Sequence, residues 1–314
     1  VNVAVTSPPE MDASQLLDSL HAGDMRALAR CISLVENDAE DSGLILRSLK
    51  INHSVPVTGI TGPPGAGKST LVNALVSRFT AQHPGKKVAV LAVDPTSPFT
   101  KGSLLGDRLR MTGHYNNPNV YIRSLATRGA LGGLSAKTMQ ITDVLRAAGF
   151  SHIFIETVGV GQSEVDIAAL ADTTVVVLVP ESGDEVQTIK SGIMEIADIF
   201  VVNKSDRDGA DLLVKNLYTT LQESSSRQEE IPIHKTVAST DKGINELLTA
   251  IENQSSHSSS HHARKAELLY QRAIRQAQDF LIKKYNLSAF RSELEKAQQE
   301  PEFNIYRFIT EHFT

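Results

Sequence analysis

The run Gly62-Pro63-Pro64-Gly65-Ala66-Gly67-Lys68-Ser69 spells G-x-x-x-x-G-K-S, a loop whose composition suits it to hold the phosphates of a nucleotide. Glycines let backbone N–H groups converge on phosphate oxygens, and a helix starting where the loop ends adds positive potential from its N-terminus. Lys68 is expected to reach the β- and γ-phosphates and the Ser69 hydroxyl to bind Mg²⁺, with Thr70 next in line on the phosphates. The plainer alternative is a glycine turn between a strand and a helix, and the full match in context weighs against it.

A second constellation bears on which nucleotide. Asn203-Lys204-Ser205-Asp206 follows the apolar run Ala197 to Val202, an N-K-x-D at a predicted strand end. A carboxylate there can accept both N1–H and N2–H of guanine, a donor pair that adenine lacks, and a buried Asp206 left unpaired would make the wrong base costly. Downstream, Lys235-Thr236-Val237-Ala238 is placed to offer a backbone contact to guanine O6, with Val237 and Ala238 nearest the base. Carboxylates at other strand ends, Asp94, Asp107 and Glu156, are candidate Mg²⁺ ligands, directly or through water. Gln162, after Gly159-Val160-Gly161, is either the residue that orients the attacking water or a structural amide.

These residues need a frame. Val55–Ile60 reads as the strand before the loop and Thr70–Phe79 as an amphipathic helix after it. Further strands are expected at Val88–Val93, Val120–Arg123, His152–Glu156, Thr174–Val179, Ile199–Val202 and Pro232–Val237. Near-continuous Val/Ile/Leu runs alternating with helical patterns predict an α/β fold: a P-loop NTPase with a mostly parallel central sheet covered by helices. Chemistry then belongs on the loops at the C-terminal strand ends. Ser14 to Leu49 carries apolar residues at helical spacing, broken near Ala22-Gly23 and Asn37-Asp38, and reads as two or three helices packed on the sheet domain. The organisation expected is an N-terminal helical extension (1–52), a nucleotide-binding domain (53–252) and a C-terminal helical region (253–314) with Leu268, Leu269, Ala273, Ile274, Ala277, Phe280 and Leu281 on one stripe.

The chain has 314 residues, 41% hydrophobic and 21% charged, with a net charge of −5. That balance gives no overall electrostatic reason to expect nucleic acid or an anionic membrane as partner. No apolar run approaches the roughly 18 residues of a membrane span. A single cysteine, Cys31, excludes an intramolecular disulfide and fits a reducing, cytoplasmic setting; within Ala27–Leu34 it reads as a small core residue on a helix. The chain opens on Val1 rather than Met, which leaves a removed leader open. His257, His261 and His262 lie in a polar connector without the cysteine or carboxylate company of a metal site.

Longer motifs extend the match. V-D-P-T-S from Val93, G-S-L-L-G-D-R from Gly102, I-R-S-L-A-T-R-G from Ile122, E-T-V-G-V-G-Q-S-E from Glu156 and G-D-E-V-Q from Gly183 together resemble the MeaB/ArgK GTPases, the family of the human methylmalonic aciduria type A protein. The resemblance covers about Leu16 to Ile251. It implies a GTP-binding and GTP-hydrolysing chaperone that gates cofactor delivery to, and protects, an adenosylcobalamin-dependent methylmalonyl-CoA mutase-type enzyme. It carries the Mg²⁺ and switch roles to Ser69, Asp94, Asp107 and Glu156, and a third switch segment to Gly183 through Lys190. It also implies a homodimer joined through C-terminal helices. Two rivals share the phosphate loop. A transport-associated kinase or ATPase would need adenine, against which N-K-S-D argues. A metal-insertion GTPase would need Cys/His ligands that one cysteine does not supply.

Overall fold

Runs of β-branched and other apolar residues such as Val88–Asp94 and Thr173–Leu178 bury on both sides only inside a covered parallel sheet, and that sheet organises the molecule. The computed structural model describes residues 12–94, 111–126, 136–157, 163–182, 196–223 and 231–256, and towards the C-terminus 270, 273–274, 277–278, 287–299, 303–305 and 307–309. Strands β1 (Val57–Thr61), β2 (Val88–Asp94), β3 (Val120–Ala126), β4 (His152–Glu156), β5 (Thr173–Leu178), β6 (Ile199–Val202) and β7 (Ile233–Lys235) form one sheet in the order β3-β2-β4-β1-β5-β6-β7. Every strand pair among them is parallel. All the C-terminal strand ends therefore share one rim. Because β2, β3 and β4 lie to one side of β1 and β5, β6 and β7 to the other, the chain leaving β1 and β4 parts above β1, where open sheets bind ligands.

Alternate residues point to opposite faces. Val57, Ala89, Leu91, Val93, Ile153 and Ile155 pack on one side with helices α1 (Ala13–His21), α2 (Met25–Glu36), α3 (Ser42–Ser48), α5 (Ala136–Ala147) and α6 (Ser163–Leu170). Ile60, Val88, Val90, Phe154, Val175 and Val177 pack on the other with α4 (Lys68–Gln82) and α8 (Ile244–Ser256), while α7 (Ala210–Glu223) covers Phe200 and Val202. The N-terminal segment forms three helices, and the breaks fall at the residues that the sequence marks. Gly23 takes a positive φ of 83° between α1 and α2, and the Asp24 carboxylate caps α2 by accepting the Ala27 N–H at 2.7 Å. Leu20, Leu28, Cys31, Ile32 and Ile45 join the same core as Leu91 and Ile153, so these helices share the sheet's interior. Burial pushes the Cys31 thiol up to about 11, as expected of a core residue.

Carboxylates stitch the opposite rim. Asp172 Oδ2 accepts the Val57 N–H at 2.9 Å and Arg146 Nη2 at 2.7 Å, and Asp198 Oδ2 accepts the Thr174 N–H at 2.8 Å. His152, also at a strand start, is fully buried, its Nε2 lying 2.9 Å from Thr58 Oγ1, and burial lowers its pKa to about 3.

Residues Val1–His262 form one compact unit and Ala263–Thr314 another. Within the second, α9 (Leu287–Ala297) brings Phe290 against Phe308, with ring centroids 5.4 Å apart, and Phe303 lies 6.2 Å from the same ring. Ala273, Ile274 and Ala277 are helical and exposed; Leu268, Leu269, Phe280 and Leu281 of the expected stripe lie outside the described residues, as does the histidine-bearing connector 257–262. Among the described residues no helix is long and apolar enough to cross a membrane.

Candidate nucleotide-binding site

The phosphate loop spans the gap between the end of β1 at Thr61 and the start of α4 at Lys68. Two of its glycines are required by close approach. A Cβ on Gly62, at φ 137°, would stand 2.0 Å from Val177 O, and one on Gly67, at φ 87°, would stand 2.5 Å from Asn203 Nδ2. Ala66 is buried between them, while Pro63 is half-buried and Pro64 and Gly65 face outward. Lys68 is buried, and its ammonium donates to Gly62 O at 2.9 Å and Pro63 O at 3.0 Å, which holds the cation across the mouth of the loop. The first-turn N–H groups of α4, including those of Ser69 and exposed Thr70, have no carbonyl one turn back within the helix and point toward that mouth. Convergent amides and a fixed cation make an anion cradle.

Beside the cradle, Ser69 Oγ donates to Glu156 Oε1 at 2.6 Å, both side chains buried. Glu156 stands at the end of β4, in register with Ile60 of β1. A hydroxyl and a carboxylate oxygen are hard donors, the set that a magnesium ion takes alongside phosphate oxygens, so these two residues fit the ion. Next to them, Thr157 Oγ1 donates to Thr61 Oγ1 at 2.9 Å.

On the other flank, Asn203 follows β6 and is 2% exposed. Its Nδ2 donates to Ala66 O at 2.8 Å, while its Oδ1 accepts from Thr236 Oγ1 and from the Ala238 N–H, each at 3.1 Å. One side chain thus ties the phosphate loop to the turn after β7. Lys204, held at φ 54°, lays its Nζ on Gly65 O at 2.9 Å. Val237 and Ala238 are buried at the start of a short 3₁₀ turn, Ala238–Thr240. Asp206 is exposed, contrary to the buried carboxylate expected, so any cost of leaving it unpaired arises only once a base covers it. The neighbouring Arg207 pairs with Glu181, whose carboxyl is lowered chiefly by that hydrogen bond.

The structure therefore gathers Gly62, Pro63, Pro64, Gly65, Ala66, Gly67, Lys68, Ser69, Thr70, Glu156, Asn203, Lys204, Asp206, Val237 and Ala238 on or beside one rim. Asp94 ends β2 on that rim, its side chain outside the described residues, as are Asp107, Gln162, Lys190 and the segment 183–190. Sequence reasoning missed the clasp made by Asn203 and the Thr61–Thr157 bond, because both join residues far apart in the chain. Among the described residues no group of three or more His, Cys, Asp and Glu is placed to hold a metal ion.

The family described as methylmalonyl-CoA mutase-associated GTPase MeaB matches residues 28–289 of the chain. The chain belongs to the MeaB family. It is 51% identical over 243 residues to a protein of Pyrococcus horikoshii assigned as a GTPase, spanning 76% of each chain. It is also 38% identical over 250 residues to the fused isobutyryl-CoA mutase of Geobacillus kaustophilus, where the match takes 75% of this chain and 23% of that one. Among solved structures, a LAO/AO transport system kinase superposes with a TM-score of 0.70 at 23% identity, covering 98% of this chain and 100% of that one, and supports the P-loop fold. As a MeaB-family member the protein is a GTPase, with the guanine nucleotide expected from N-K-S-D.

Proposed function

We propose that this GTPase is a chaperone for an adenosylcobalamin-dependent mutase of the methylmalonyl-CoA type, using GTP binding and hydrolysis to gate cofactor delivery and protect the enzyme. The observation that carries the mutase assignment is that relatives in Geobacillus kaustophilus and Cupriavidus metallidurans join a matching region to an isobutyryl-CoA mutase in one chain. Covalent fusion is what a working partnership between two separate chains becomes when its effective concentration is fixed.

In this reading the amides of Gly65, Gly67, Lys68, Ser69 and Thr70 hold the phosphates. Asp206 reads the guanine edge, Lys204 lies beside the base, and the main chain at Val237 and Ala238 meets O6. Ser69 and Glu156, with Asp94 at the end of β2 and with Asp107, would hold Mg²⁺, which when bound would neutralise charge on the phosphates. Lys68 offsets charge on the γ-phosphoryl oxygens, and Gln162 orients the attacking water, so catalysis is positioning and electrostatics. Lys190 belongs to a third switch segment, 183–190. Residues 1–52 serve as a helical extension, 53–252 as the GTPase domain and 253–314 as the surface that joins two copies in a cytoplasmic homodimer.

Partner-dependent ordering of these segments predicts slow turnover in isolation and faster turnover with the mutase. Size-exclusion chromatography with a methylmalonyl-CoA mutase-type enzyme, in GDP and in a non-hydrolysable GTP analogue, should give a complex whose affinity depends on the nucleotide. Equal turnover with and without the mutase, and no complex in either state, would refute the chaperone reading while leaving the GTPase intact.

A further inference from the structure

We propose that the Thr61–Thr157 hydroxyl pair is a positioning device that fixes where the Glu156 carboxylate stands relative to Ser69. The inference rests on the reading of Ser69 and Glu156 as cation ligands. Thr61 is the last residue of β1, directly before Gly62, and Thr157 directly follows Glu156 at the end of β4. Both are buried, and Thr157 Oγ1 donates to Thr61 Oγ1 at 2.9 Å. The Thr157 N–H also donates to Ile60 O at 3.0 Å, one step beyond the register pair Ile60↔Glu156.

A ladder holds a residue firmly only while the ladder continues on both sides of it. Glu156 is the last residue of its strand, so without further contacts its main chain would be constrained from one side alone. The two bonds of Thr157 supply the other side, one to Ile60 and one to Thr61, the residue that launches the phosphate loop. The same hydroxyl pair therefore sets both the take-off of the loop bearing Ser69 and the direction of the chain leaving Glu156, whose side chains meet at 2.6 Å. Packing does not ask for hydroxyls here. Valine has the shape of threonine, and the register neighbour of Thr61 on β5, Val176, is a buried valine. Two buried hydroxyls carry a desolvation cost that an apolar pair avoids, which is offset only by the directional bond between them.

The test follows release of a fluorescent GDP analogue as free Mg²⁺ is varied, with thermal unfolding of the nucleotide-free protein alongside. Thr157→Val should raise the Mg²⁺ concentration needed for half-maximal retention on the order of fivefold, the factor one net hydrogen bond is worth. Release in excess chelator should stay as in the parent protein. Thr157→Ser, which keeps the hydroxyl, should restore the parent's Mg²⁺ midpoint, and Thr61→Val combined with Thr157→Val should shift it no further than either alone. Should Thr157→Val not fold, Thr61→Val carries the same expectation. An unshifted midpoint in the folded valine variants, whatever their thermal stability, overturns the positioning role. Ser69→Ala and Glu156→Gln serve as references: if neither moves the midpoint the cation reading itself fails, and if both move it while the valine variants do not, only the positioning role is lost.

Discussion

Replacing Asn203 with alanine separates a residue that touches the base from one that builds the site. The side chain is 2% exposed and makes three hydrogen bonds, to Ala66 O at 2.8 Å and from Thr236 Oγ1 and the Ala238 N–H at 3.1 Å each. The Thr236 hydroxyl can rotate to another acceptor, so the substitution strands two backbone groups, each costing about 1–3 kcal/mol when buried without a partner. Water entering the space recovers part of this, which leaves about 3 kcal/mol, a large share of a total of about 5–15 kcal/mol. At about 2–4 °C per kcal/mol for a domain of this size, the nucleotide-free protein should melt about 6–12 °C lower. Differential scanning fluorimetry and urea unfolding without nucleotide measure that, and titration with a fluorescent GDP analogue measures the site. A partner substitution gives an internal check. Gly67→Ala places a Cβ 2.5 Å from Asn203 Nδ2, so its cost should shrink in the Asn203→Ala background, leaving only the strain of its positive φ. If Asn203→Ala left the nucleotide-free melting temperature unchanged and lost only guanine affinity, the clasp would be an incidental contact and the reasoning would be wrong.

Lys68→Ala removes the cation held by Gly62 O and Pro63 O and should abolish GTP turnover with native circular dichroism retained; turnover within tenfold of the parent would displace the phosphate site. Asp206→Asn should weaken GTP and favour xanthosine triphosphate, by about tenfold or more in the ratio of competition constants, since an exposed carboxylate is free to meet the base edge. Burial holds His152 neutral with a pKa of about 3 against 6.5 unfolded. The unfolded chain therefore binds the extra proton first, and stability present above pH 6.5 is lost as pH falls toward 3, with a slope nearing about 1.4 kcal/mol per pH unit from this group. His152→Gln should flatten that part of a urea-unfolding pH series, and an unchanged slope would contradict the assignment.

The phosphate loop and N-K-S-D were legible because each is a short contiguous run whose backbone must adopt one shape, and the strands because a doubly covered sheet demands unbroken apolar runs. Edges slipped for local reasons. β1 runs Val57–Thr61 rather than from Val55, since Pro56, without an N–H, can only accept at that end, from Ile153. β7 stops at Lys235 because Val237 turns back to pair with Lys242. Helix α4 begins at Lys68, two residues before the apolar pattern, since loop and helix overlap where the ligand binds. The N-K-S-D run groups Asn203 with Asp206 and the base, and nothing in its neighbours announces a bond to Ala66, 137 positions away. Thr61 and Thr157 were equally silent, because threonine in a strand normally reports β-propensity alone.

The carboxylates of Asp172 and Asp198, gripping the first amide of β1 and the second of β5, make the floor of the sheet an anvil. Whatever nucleotide does at the upper rim, the amides of Val57 and Thr174 should exchange deuterium at one slow rate throughout the cycle. Any change between nucleotide states should then register at the ledge above rather than in this base.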